Sequence, residues 1–120
     1  MAEYQAIQID RGQRVLLKFT MIDYVDPNTG VVTPAPNIQS PVVWTINLKL
    51  RKAYGQAEIL TVAATVTGPQ AFEAVLTGGA SGNTDVESGD YVFDTWRVEA
   101  GSETPLDNGP FKINASRFGA

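Results

Sequence analysis

The chain has 120 residues, of which 43% are apolar and only 18% charged, with a formal charge of −4. That length suits a single domain over 1–120 with one ordinary soluble core. Cysteine and histidine are both absent, which excludes disulfides, thiolate catalysis, zinc–sulfur sites and the usual general base, and the acidic balance is opposite to that of a nucleic-acid-binding domain.

In chain order, Met1–Gln5 is acidic and polar, with neither a basic start nor an apolar run, so no secretory leader is expected. Tyr4 to Asp10 alternates, with Ile7 and Ile9 on one face. Arg14 to Val25 places Val15, Leu17, Phe19 and Met21 together against Arg14, Leu16, Lys18 and Thr20. Such period-two patterns predict half-buried strands. Asp26-Pro27-Asn28-Thr29-Gly30 then predicts a tight hairpin between Tyr24-Val25 and Val31-Val32, since Pro fixes φ early and Gly takes φ > 0 at the end. Thr33 to Pro41 reads as an extended, proline-stiffened connector unable to join a central strand. The longest uncharged run, Pro27 to Leu48, contains Pro34, Pro36 and Pro41, and so predicts no spanning helix and no membrane role.

The cleanest alternation lies in Val42 to Lys52, where Trp44, Ile46, Leu48 and Leu50 oppose Thr45, Asn47, Lys49 and Arg51. Glu58 to Thr67 is a Thr/Val/Ala strand. Pro69 to Gly78 suits either a short helix, from its Pro start and Gly stop, or a strand with Phe72, Ala74 and Leu76 on one face. A strand over 70–77 is chosen because a sandwich needs its middle hairpin. Gly78 to Thr84 reads as a flexible polar loop. Val86-Glu87-Ser88-Gly89-Asp90-Tyr91 has the form of a tyrosine corner, in which the phenol bonds back to loop backbone. Asp90 to Glu99 and Gly109 to Ser116 complete the pattern. With 12 Val, 11 Thr and 7 Ile against 11 Gly and 7 Pro, the expectation is all-β: an immunoglobulin-like antiparallel β-sandwich of about seven strands.

Candidate chemistry is sparse. Asp26, Asn28 and Gly30, and separately Asp85, Glu87 and Asp90, resemble fragments of calcium loops, but neither has the closing bidentate carboxylate, and turn chemistry accounts for both. None of the five serines has a lysine three residues downstream, and Gly78, Gly79 and Gly82 lack the lysine of a phosphate loop. Asn114-Ala115-Ser116 matches a glycosylation acceptor by chance. No catalytic, cofactor or metal residues are assigned, and no enzyme is expected. Trp44, Tyr91, Phe93 and Trp96 fit core packing, with a sugar-binding platform as the alternative.

Charge is uneven along the chain. Residues 1–52 carry six bases and four acids, whereas 85–107 carry seven acids and only Arg97. Complementary patches on identical copies would favour head-to-tail assembly, so a homo-oligomer is expected.

Gly89-Asp90-Tyr91-Val92-Phe93-Asp94-Thr95-Trp96-Arg97, followed by Leu106-Asp107-Asn108-Gly109 and Phe111-Lys112-Ile113, resembles the last hairpin of small immunoglobulin-like domains of bacteriophage virions. Those domains include the N-terminal domain of upper baseplate proteins and head or tail accessory modules. The front part, Arg14 to Thr20, the Asp/Pro/Gly hairpin and Trp44 to Leu50, is similar to them too. Two departures are the proline-rich insert at 33–41 and the lack of a coiled stem after residue 117. The resemblance implies a non-enzymatic virion subunit in tail, baseplate, neck or capsid decoration. It would contact itself and neighbouring virion proteins, with the arm at 33–41 lying on a neighbour. The alternative is a carbohydrate-binding or adhesive module using Trp44, Trp96 and the tyrosines.

Overall fold

Residues 6–115 are described by a computed structural model and are all-β. The expected strand ends at Tyr4 and Ser116, and the start at Met1–Gln5, lie outside the described residues. Ten strands occur among the described residues: β1 (Ile7–Asp10), β2 (Val15–Thr20), β3 (Tyr24–Val25), β4 (Val32–Thr33), β5 (Thr45–Arg51), β6 (Glu58–Ala63), β7 (Thr65–Gly68), β8 (Ala71–Leu76), β9 (Gly89–Glu99) and β10 (Ser102–Asn114). They form a curled five-stranded sheet in the order β1-β10-β9-β5-β6, a three-stranded sheet β2-β8-β7, and the hairpin β3-β4.

Three expectations are corrected. The large sheet is mixed, because β1 runs parallel to β10 with Ile7 beside Phe111 and Ile9 beside Ile113. The expected strand over 58–67 divides between two sheets at Ala64, whose N–H still reaches Ile46 O at 2.8 Å. Finally, β10 starts at Ser102 rather than near Gly109, since Ala100-Gly101 makes a two-residue turn with Gly101 at φ 78°. Pro105 and Pro110 survive inside β10 because β1 pairs only with Phe111 to Asn114, which leaves 102–110 an edge. A bulge at Leu106 restores the face alternation after Pro105.

Residues 70–77 are strand, as expected. Phe72, Ala74 and Leu76 all face the core at 2% exposure or less, and helical spacing would have turned Ala74 away from the other two. The two larger sheets meet in one apolar cluster. Phe19 stacks on its cross-strand partner Phe72 at 5.0 Å, Phe93 of the large sheet lies 6.0 Å from Phe19, and Phe111 meets Phe93 edge-on at 6.4 Å. Each such ring removed from water stabilises the fold by about 1.5–3 kcal/mol.

Two loops differ from the sequence reading. Loop 78–84 is pinned rather than loose: Thr77 and Asn83 exchange two hydrogen bonds at 2.9 Å, and the buried Thr84 hydroxyl donates to Gln13 O at 2.8 Å. A Cβ on Gly78 would sit 2.7 Å from Arg14 N and Gly12 O, so only glycine permits this approach. The connector 33–41 does not project as an arm. Ile38 is wholly buried, its N–H reaches Pro69 O at 2.8 Å, and its carbonyl accepts from Trp44 N at 2.9 Å.

Candidate functional site

The Tyr91 phenol donates to Glu87 O, which is the bond expected of the corner motif. Burial, together with the Glu87 charge, raises its pKa above the ordinary phenol value, so it remains a donor. This latch fixes the start of β9. Alternation then sends Tyr91, Phe93 and Thr95 into the core and Asp94 and Trp96 to the opposite face.

That opposite face is polar yet largely covered. Lys49 is 9% exposed; its ammonium lies 2.8 Å from Glu103 Oε2, 3.5 Å from Glu58 Oε2 and 5.5 Å from the Trp96 ring centroid. The Glu103 hydrogen bond and the two carboxylate charges raise the Lys49 pKa against the opposing effect of burial. Arg51 reaches Asp94 at 3.2 Å and Gln56 O at 2.6 Å. Shallow grooves of about 440 and 470 Å³ flank this cluster. Trp96 Nε1 is buried there without an acceptor.

Part of the expected separation of charge is met within the molecule. Antiparallel pairing places Lys49 of the basic segment directly beside Asp94 of the acidic one, and Arg11 bonds Asp85 at 3.0 Å. The ion pairs of Arg11, Lys49 and Arg51 join three of the seven acids of 85–107 to bases of 1–52 inside the molecule. Trp96 is also corrected, because it lies outside the core that sequence alternation was expected to give it. Both tryptophans carry a cation over one ring face, Arg97 over Trp44 at 3.9 Å and Lys49 over Trp96 at 5.5 Å.

Two of the acids singled out by spacing, Asp26 and Asp85, do turn work. Asp26 Oδ1 accepts from Asn28 N at 2.8 Å and Asp26 O from Gly30 N at 2.9 Å, with Gly30 at φ 72°. Asp85 accepts from Ser81 N at 2.9 Å and from Arg11, which together hold its pKa below the ordinary carboxylate value. Among the described residues, no group of three or more His, Cys, Asp or Glu is placed to hold a metal ion, and no helix is long and apolar enough to cross a membrane.

The apolar end of the molecule escaped the sequence reading. A groove of about 570 Å³ is lined by Met21, Tyr24, Pro34, Pro36, Trp44 and Leu106. Its wall is the β3-β4 hairpin, which puts Tyr24 and Thr33 on the groove side and the Val25–Val32 pair on the other. Tyr24 is 50% exposed, and Val25, Val31, Val32, Val42 and Val43 are exposed further still, Val42 to 67%. The available signal was the pairs Val31-Val32 and Val42-Val43: adjacent residues in extended chain point to opposite faces, so one core cannot take both. Two-residue strands do not sustain a hairpin by themselves. Here Asp23 Oδ1 accepts Ala35 N at 2.7 Å and ties the base of the hairpin down.

Compared with known proteins, the chain matches no family model, and no curated protein is similar enough to count as a relative.

Proposed function

We propose that the chain is a non-enzymatic structural subunit of a phage or phage-like particle, made in the host cytoplasm. It assembles in the virion through contacts with its own copies and with neighbouring particle proteins. The observation that carries this reading is the groove and the β3-β4 hairpin beside it, where Tyr24, Val25, Val31, Val32, Val42 and Val43 are half or more exposed. Exposed apolar side chains gathered on one hairpin and the groove it walls mark a surface suited to being covered by another molecule. Two sheets packed face to face and the Tyr91 latch support an immunoglobulin-like sandwich as the underlying plan, and with it the resemblance to virion accessory domains.

Density-gradient purification of particles from a lysate producing this chain, followed by quantitative mass spectrometry, tests the proposal. The expected outcome is the chain banding with particles in fixed ratio to other structural proteins. A chain left wholly in the soluble fraction contradicts it.

A further inference from the structure

Resting on that reading, the structure also indicates which edge is free to pair. Sheet edges invite strand addition unless they are short, charged, interrupted by proline or bulged. Most edges here are guarded. β1 has four residues and ends in Asp10, β2 carries Lys18 at mid-strand, and β10 over 102–110 holds Glu103, Pro105, Asp107, Pro110 and a bulge. β6 is different. It and β7 are the outermost strands of the two larger sheets; Glu58 and a bulge at Ile59 stand at its start, but Leu60 to Val66 contains no charge, glycine, proline or bulge. Glu58, Ile59, Thr61 and Ala63 are exposed.

The ladder fixes which groups look outward. Ala64 N bonds Ile46 O, and the register pairs Val62 with Leu48. Bonded and non-bonded pairs alternate along antiparallel strands, so the N–H and C=O of Thr61 and Ala63 point away from β5. An edge with these two residues flanking Val62 is its own complement under a two-fold axis. Thr61 of one copy meets Ala63 of the other, each such pair exchanging two backbone bonds, and Leu60 to Ala63 brings no charge to the seam.

We propose that β6 pairs antiparallel with β6 of a second copy about Val62, joining the two large sheets into one continuous sheet. Sedimentation equilibrium across a concentration series, with amide hydrogen exchange on the same samples, tests this. Wild type is expected to reach twice the monomer mass, with the Thr61 and Ala63 amides becoming protected as the dimer forms. Thr61→Pro removes only an outward donor and is expected to raise the dimer dissociation constant at least tenfold while the monomer still unfolds cooperatively. Unchanged self-association in Thr61→Pro overturns the proposal, as does wild type that stays monomeric at its highest soluble concentration. If that variant fails to fold, exchange at Thr61 and Ala63 in wild type decides alone. Protection that appears only inside particles identifies a foreign strand as the occupant and also overturns it. A monomeric chain found in particles defeats this inference and spares the functional reading. A β6-paired dimer absent from particles does the reverse.

Discussion

The interior between the two larger sheets and the end built from residues 21–44 use the same kinds of side chain to opposite effect. In the interior, Phe19, Phe72, Phe93 and Phe111 meet ring to ring and are almost wholly removed from water. At the apolar end, Tyr24 and five valines stand in solvent around a groove. The difference lies in context: strands of six or more residues bury one face against another sheet, whereas a hairpin of two-residue strands has no second layer. The interior accounts for the fold, and the end supplies surface that this fold does not itself use.

Substitutions can break that contrast or sharpen it. Phe93→Ala is expected to cost about 3–5 kcal/mol in urea unfolding, since the cavity opens where both sheets meet. A loss near that of a surface site would refute the packing described. Tyr91→Phe removes the latch and leaves Glu87 O without its donor, for an expected loss of about 1 kcal/mol. Asp85→Asn acts through pH. Ser81 N–H and Arg11 depress the Asp85 pKa in the folded state, so the stabilisation is present above the ordinary carboxylate value of about 3.9 and lost as pH falls through the folded value. The wild-type advantage over Asp85→Asn in urea midpoint is therefore expected at pH 6 and absent in strong acid; an advantage that persists in acid would contradict the assignment. Smallest of all, Val25→Ala with Val32→Ala is expected to change monomer stability by no more than about 0.5 kcal/mol. The same pair should reduce incorporation into particles, measured by the chain's ratio to other structural proteins.

Much of the architecture was legible in the sequence. Alternation in Val42 to Lys52 and in Phe72, Ala74 and Leu76 located strands and their buried faces, because one side of each had a partner layer. Gly89 and Tyr91 marked the latch through local chemistry. What escaped has physical reasons. The parallel pairing of β1 with β10 and the transfer at Ala64 depend on distant partners that no local pattern encodes. Charge position along the chain did not foretell that antiparallel neighbours bring Lys49 beside Asp94. The apolar end was hidden among prolines, where Ile38 faces inward and its neighbours Val42 and Val43 do not.

Hydroxyl-radical footprinting of the isolated chain against the chain in purified particles tests the central claim most directly. Strong labelling of Tyr24, Val25, Val32 and Val42 in isolation, falling sharply in particles while Phe93 stays unlabelled in both, is the predicted result. Equal labelling of those four residues in the two states would contradict the claim that this end is where neighbours bind.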